Sequence, residues 1–294
     1  MFNLPYIQPL FRPPSEWRSL ILQVTNGCSY NQCTFCDMYT APQKRFRARK
    51  LEEIEAEIRA VAGSGVAVQR VFLADGDAMT LPVHRLQAIC ELIGKHLPGV
   101  RRISSYCLPR NLKNKSVDEL KMLRALGLDL VYVGCESGDD EVLAGINKGE
   151  TFESSKAALL KLGEAGIKRS VMILNGMGGA ERSRQHALQS ARLMNATQPE
   201  YLSTLVVSFP LGMDRVLAGF GGAFTPLAVP DLIDEQAWLL GELGLEQTIF
   251  RSDHASNYLV LKGTLGRDKA ALLAQIERAR EGLVPLRAEW QRGL

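Results

Sequence analysis

The chain has 294 residues, of which 46% are hydrophobic and 23% charged, and it contains no low-complexity stretch. This composition suits a globular protein with a full core, either one large α/β domain or a domain with a small appendage. The net charge of +3 is too small to demand a nucleic-acid or membrane partner.

Short β-rich runs alternate with helical patterns over the first 210 residues. Predicted strands cover 19–25, 70–74, 100–107, 128–136, 169–174 and 201–209, and predicted helices cover 51–62, 82–96, 117–126, 152–165 and 181–196. The basic run KRFRARK at 44–50 is interpreted as the solvated start of the first helix. Ser116 and Glu119 form a capping box for the third helix, which Gly127 ends.

This alternation predicts an α/β fold with a parallel sheet and right-handed crossovers. Such a sheet is either doubly wound or a partial or full (β/α) barrel. We expect an N-terminal extension over 1–17, a (β/α)6 core over 18–210 and a C-terminal extension over 211–294 that completes the barrel and the substrate side. A long Gly- and Pro-rich loop after residue 209 precedes predicted helices near 231–241 and 268–280.

No run approaches the roughly 20 apolar residues of a membrane span, and the N-terminal residues lack the apolar core of a signal peptide. We therefore expect a cytoplasmic protein without a membrane partner. In that reducing compartment, clustered cysteines indicate metal ligands or catalytic groups rather than disulfides.

Cys28, Cys33 and Cys36 lie within nine residues, directly after the first predicted strand. Structural zinc needs four ligands, and a plant-type [2Fe–2S] centre with the same C-x4-C-x2-C spacing needs a fourth cysteine. The next cysteine, Cys90, falls inside an apolar predicted helix. A [4Fe–4S] cluster with three protein ligands and one iron open to a small molecule fits the run without a fourth cysteine.

The run CSYNQCTFC resembles the signature of the radical S-adenosylmethionine (radical SAM) superfamily, which is usually C-x3-C-x2-C with an aromatic residue before the last cysteine. Phe35 is that aromatic residue, and the first gap here is one residue longer than usual. Three further motifs follow in the family's order, namely LADGDA at 73–78, VGCESG at 133–138 and ILNGMGG at 173–179. The second motif resembles the branch that includes coproporphyrinogen dehydrogenases, methylthiotransferases and the Elongator-type subunit.

The resemblance implies which residues hold the cofactors. It assigns the cluster to the three clustered cysteines and the SAM contacts to these motifs, namely Phe35, Asp75, Gly76, Asp77, Glu136, Ser137 and Gly176. Asp77 is the preferred partner of the SAM ammonium. Asp75 and Asp77 are also ordinary turn residues, and Glu136 also suits a helix N-terminus, so these alternatives stay open.

Other candidate residues lie outside these motifs. His254 and Asn257 occur in the polar run RSDHASN and are candidate contacts to substrate or to the SAM carboxylate. Cys90, Cys107 and Cys135 are scattered and are interpreted as core thiols.

The resemblance further implies an enzyme in which a reduced [4Fe–4S] cluster cleaves SAM, and the 5′-deoxyadenosyl radical abstracts a substrate hydrogen. The expected partners are a small-molecule or peptide substrate and an external flavodoxin- or ferredoxin-like electron donor. The alternative that the sequence leaves open is a non-catalytic Fe–S or SAM-binding carrier or sensor on a degenerate barrel.

Overall fold

The computed structural model describes residues 4–292. Within this range the strands are β1 (Leu20–Gln23), β2 (Thr25–Asn26), β3 (Arg47–Ala48), β4 (Arg70–Ala74), β5 (Arg102–Cys107), β6 (Leu128–Glu136), β7 (Lys168–Asn175), β8 (Tyr201–Val206), β9 (Ile249–Ser252) and β10 (Leu261–Thr264). The helices are α1 (Leu51–Gly63), α2 (Val83–His96), α3 (Val117–Ala125), α4 (Asp140–Gly145), α5 (Phe152–Glu164), α6 (Gly179–Thr197), α7 (Asp214–Gly219), α8 (Val229–Glu242) and α9 (Lys269–Arg280). None of these helices is long and apolar enough to cross a bilayer.

Eight of the described strands form one sheet, in the order β1-β4-β5-β6-β7-β8-β9-β10. β1, β4, β5 and β6 pair in parallel along the sheet, and so do β7, β8 and β9, whereas β10 is antiparallel to β9. Parallel neighbours need a crossover between them, and helices supply it along most of the chain. The predicted α/β class with a mostly parallel sheet is confirmed.

Several boundaries differ from the prediction. The first predicted strand, 19–25, is interrupted, because Thr25 and Asn26 pair with β3 in a separate two-stranded sheet. Helix α4 was not predicted, although Asp139 caps it by accepting hydrogen bonds from the backbone of Glu141 and Val142. Helix α7 lies inside the stretch expected to be a loop.

The chain divides into two compact units. The first contains residues 4–31, 36–133 and 160–169, and the second contains residues 32–35, 134–159 and 170–292. Both units draw on separate segments of the sequence, so no single linker marks a boundary. The division into 1–17, 18–210 and 211–294 stays a prediction.

In the first unit, a buried carboxylate connects the N-terminal segment to the sheet. Glu16 is fully buried and accepts hydrogen bonds from Ser19, from the Arg102 guanidinium at 2.7 Å and from the Tyr132 hydroxyl at 2.6 Å. Burial acts to raise the pKa of Glu16, but these donors outweigh it and lower the pKa. The ionised carboxylate therefore stabilises the fold.

Glu16→Ala is expected to lower the free energy of unfolding by about 2–4 kcal/mol, because the three donors Ser19, Arg102 and Tyr132 lose their buried acceptor. The pKa of Glu16 is lower in the folded chain than in the unfolded chain. Its contribution is therefore complete above the ordinary glutamate pKa and is lost as the pH falls through the lowered value. Urea unfolding at neutral pH and at about pH 3 should show a difference between wild type and variant that shrinks on acidification.

The control is Glu52→Ala, because Glu52 is exposed on helix α1. This variant should stay within about 0.5 kcal/mol of wild type. An equal loss of stability in both variants, or a difference that does not depend on pH, would contradict the assigned role of Glu16.

Candidate functional site

The six cysteines fall into two groups by exposure. Cys28, Cys33 and Cys36 are each half-buried, whereas Cys90, Cys107 and Cys135 are buried in the core, as predicted. Cys28 and Cys36 belong to the first unit, and Cys33 belongs to the second. Among the described residues, no three or more His, Cys, Asp or Glu side chains are grouped so that they could hold a metal ion. The assignment of the three ligands stays a prediction that rests on their spacing.

Asp77 is the centre of a hydrogen-bond network in the first unit. Its carboxylate accepts from the Ser29 backbone at 2.7 Å and from the Asn111 amide at 2.9 Å, and it also binds the Ser29 hydroxyl and the Cys28 thiol. Burial raises the pKa of Asp77, while these hydrogen bonds act to lower it. Asp77 thus ties the start of the cysteine loop to the end of β4, and its contact with SAM stays a prediction.

Asp75 forms a buried ion pair rather than an open carboxylate. Lys44 and Asp75 are both fully buried, and the ammonium of Lys44 also donates to the Ile7 carbonyl at 2.9 Å. Gln23 donates to the same Asp75 oxygen at 3.2 Å. The interpretation of residues 44–50 as a solvated helix start is therefore wrong for Lys44, because a carboxylate 31 residues away neutralises its charge inside the first unit.

Gly76 lets two backbone segments approach closely. Its φ of +45° is left-handed, and a Cβ built there would lie 2.1 Å from the Gly27 carbonyl oxygen and 2.6 Å from the Cys28 Cα. Only glycine permits this approach without displacing the chain. The motif therefore supports the cysteine loop by backbone packing.

In the second unit, Phe35 packs against apolar side chains. Its partners include the fully buried Val142, Leu143, Ile146 and Met177. This packing holds the segment 32–35 of the cysteine loop on the second unit. A role of Phe35 beside SAM stays a prediction.

Glu136 ends β6 in an unusual backbone conformation. Its φ is +65°, which is rare for a residue with a Cβ. The carboxylate pairs with the Lys148 ammonium at 3.0 Å, and both side chains are largely buried. A Cβ at Gly134 would lie 2.2 Å from the same carboxylate oxygen, so this glycine leaves room for the ion pair.

Ser137 belongs to a buried polar chain. Its hydroxyl lies 2.7 Å from His186 Nδ1, and His186 Nε2 lies 3.0 Å from the Leu174 carbonyl oxygen. Because that carbonyl only accepts, Nε2 donates in this hydrogen bond. Glu235 accepts from the Gly176 backbone at 2.6 Å, which fixes the turn after β7.

His254 and Asn257 both make hydrogen bonds within the second unit. The Asn257 side chain is buried and bonds the β8 backbone twice, accepting from Val206 at 2.9 Å and donating to Thr204 at 2.8 Å. His254 accepts from the Ser256 backbone at 3.1 Å, and burial lowers its pKa. The proposed contacts of these two residues with SAM or substrate stay predictions.

Sequence reasoning missed four charged or titratable groups near these motifs, namely Lys44, Lys148, His186 and Glu235. The sequence around each of them is equally typical of an ordinary solvated residue or of a residue on a helix. Their partners lie 12 to 60 residues away in the sequence. No local spacing marks them.

Comparison with known proteins gives one family match. The model of the radical SAM superfamily matches residues 22–193. This range contains the three clustered cysteines and the motifs at 73–78, 133–138 and 173–179.

Two curated relatives are similar over half of the chain. One is 4′-phospho-dehydrooxetanocin synthase of Priestia megaterium, with 27% identity over 165 residues, 51% of this chain and 22% of that protein. The other is a putative methylthiotransferase of Methanocaldococcus jannaschii, with 25% identity over 162 residues, 51% of this chain and 33% of that protein. The match thus spans no more than a third of either relative.

Among solved structures, coproporphyrinogen III oxidase of Escherichia coli, a radical SAM enzyme, aligns with a TM-score of 0.56 at 16% identity. The alignment covers 76% of this chain and 52% of that chain. At this identity the likeness shows the fold alone, and the predicted α/β fold of the partial (β/α) barrel kind is confirmed.

Proposed function

This chain belongs to the radical SAM superfamily, and we propose that it is an enzyme that cleaves SAM reductively to form a 5′-deoxyadenosyl radical. The observation that carries the proposal is the family match over residues 22–193, which includes the cysteine run and all three motifs. Proteins of this family use a [4Fe–4S] cluster and SAM. The family and the cofactors predicted from the sequence are thereby confirmed.

We propose Cys28, Cys33 and Cys36 as the cluster ligands. The donor set fits the group, because three thiols serve three irons and leave one iron for SAM. Their partial exposure supports this assignment, since the other three cysteines are buried. When bound, the reduced cluster supplies one electron to the sulfonium of SAM.

When SAM is bound, the chain's own residues would orient it and limit the access of water to it. We propose Glu136 as a direct hydrogen-bonding partner of SAM, because its carboxylate is held in one place by Lys148 at the end of β6. Gly76 and Asp77 support the cysteine loop, as their backbone packing and hydrogen bonds suggest. Phe35, Asp75, Ser137, Gly176, His254 and Asn257 stay predicted contacts.

We propose a small molecule or a peptide as the substrate and a flavodoxin- or ferredoxin-like protein as the electron donor. The net charge of +3 supports a small or peptidic substrate over a nucleic acid, because phosphate backbones need a stronger basic surface. Reductive cleavage consumes one electron per SAM, so a one-electron donor is required. We place the reaction in the cytoplasm, where such donors and reduced thiols occur.

The test is anaerobic reconstitution of the full chain with iron and sulfide, followed by SAM and dithionite and by chromatography of the products. We expect 5′-deoxyadenosine and methionine in equal amounts, and neither product when dithionite is omitted. A fully loaded, reducible cluster that yields no product of SAM cleavage would overturn the enzyme proposal. That result would favour the carrier or sensor alternative.

A further inference from the structure

The second unit contains a buried lysine, Lys148, whose only role in the function proposed above is its contact with Glu136. The Lys148 side chain is 4% exposed, and its ammonium lies 3.0 Å from the carboxylate of Glu136, which is 11% exposed. The carboxylate within hydrogen-bonding distance stabilises the charged form of the buried lysine, which is therefore a fixed positive charge.

The segment that carries Lys148 is bound to the cysteine loop. The Thr34 backbone donates to the Ile146 carbonyl at 2.9 Å, and the Asn147 amide donates to the Gln32 carbonyl at 3.1 Å. These two hydrogen bonds lie on either side of Cys33 in the sequence. They hold the segment before Lys148 against the loop residue Cys33, which is proposed to ligate the cluster.

The position of the ammonium agrees with this arrangement. It lies 5.9 Å from the centre of the Phe35 ring, and Phe35 is only two residues after Cys33. Gly134 leaves the space in which the lysine and the glutamate meet, because a Cβ there would lie 3.4 Å from the ammonium and 2.2 Å from the carboxylate oxygen. The backbone is thus shaped around the ion pair.

We propose that Lys148 is a positioning residue that fixes Glu136 for SAM and also raises the reduction potential of the cluster bound through Cys33. The proposal rests on the function proposed above. A nearby positive charge stabilises the more negative, reduced cluster, and net charge is one of the properties that set Fe–S potentials. A buried partner that orients the SAM-binding carboxylate should also strengthen the binding of SAM.

The experiment compares midpoint potentials of full-length, reconstituted variants without SAM, by redox titration followed with electron paramagnetic resonance. Lys148→Met leaves the negative charge of Glu136 and should lower the potential. Glu136→Gln leaves the positive charge of Lys148 and should raise it. The midpoint potential of the double variant should return towards the wild-type value, because the two side chains together carry no net charge in either protein.

Lys262→Met is the matched control. Lys262 pairs with Asp253 at the same distance, 3.0 Å, but the two side chains are 56% and 34% exposed. Water and salt screen an exposed charge, so this variant should keep the wild-type potential. SAM binding, measured by equilibrium dialysis, should weaken about tenfold in Lys148→Met and stay unchanged in the control.

Glu136→Gln keeps the size of the side chain and therefore decides the test even if Lys148→Met folds poorly. If the wild type cleaves SAM but Glu136→Gln leaves the midpoint potential unchanged or lowers it, the inference is wrong and the proposed function stands. A wild-type chain without any reducible cluster would contradict the inference and the proposed function together.

Discussion

Cys33→Ala is expected to abolish the brown chromophore and to reduce cluster-bound iron at least about tenfold, because loss of a ligand exceeds the 10- to 100-fold effect of losing an outer-shell partner. The substitution removes one sulfur atom from a half-buried side chain and leaves the backbone unchanged. The Thr34 and Asn147 hydrogen bonds that hold the loop do not involve the thiol. Iron and sulfide analysis after anaerobic reconstitution measures the effect, and circular dichroism checks the fold.

Cys90→Ala is the matched control. Cys90 is 1% exposed on helix α2, and burial together with Glu91 raises the pKa of its thiol to about 12. It therefore stays protonated at neutral pH, whereas iron is bound by thiolates. The control should keep full iron and lose about 1 kcal/mol of stability through a small cavity. Full iron in Cys33→Ala, or iron loss in both variants, would contradict the ligand assignment.

Local signals account for what the sequence predicted well. The capping box of α3 spans four residues, and the structure contains both of its hydrogen bonds, from the Glu119 backbone to Ser116 and from the Ser116 backbone to Glu119. The alternation of strands and helices predicted the sheet for the same reason, since hydrophobic periodicity is a local property. The cysteine run was also local, within nine residues.

Pairings between distant residues account for what the sequence did not predict. Ser137 and His186 are 49 residues apart, and Lys44 lies 31 residues before Asp75. A buried lysine looks like a solvated one in the sequence until its carboxylate partner is known. The break between β1 and β2 has the same origin, because β2 pairs with a strand on the far side of the cysteine loop.

The motif at 73–78 has both a local resemblance and contacts with distant residues. From the resemblance, its two carboxylates and its glycine were predicted to contact SAM. In the structure Asp75 is paired with Lys44, and Asp77 accepts hydrogen bonds from Ser29. The two carboxylates therefore bind residues at the start of the cysteine loop and after its end, a role that residue types alone do not reveal. Gly76 is the member of the motif whose replacement tests this role most directly.

Gly76→Ala is expected to prevent stable cluster binding and to lower the free energy of unfolding by about 3 kcal/mol. A left-handed φ costs alanine about 1–2 kcal/mol by itself. The added Cβ would also overlap the Gly27 carbonyl oxygen and the Cys28 Cα, which are backbone atoms that cannot rotate away. The start of the cysteine loop must therefore move, and Cys28 moves with it. Iron content and urea unfolding of the same preparation measure the two effects.

Gly94→Ala separates this local effect from the general effect of a glycine substitution. Gly94 is exposed within helix α2, and no atom lies within 4 Å of a Cβ built there. Alanine should stabilise that helix by about 0.5–1 kcal/mol and leave the iron content unchanged. A Gly76→Ala chain that binds iron as well as Gly94→Ala would mean that the contact between the two backbone segments is not needed for the cluster. The motif at 73–78 would then have to act through its side chains, and Asp77→Asn would be the variant that loses SAM binding.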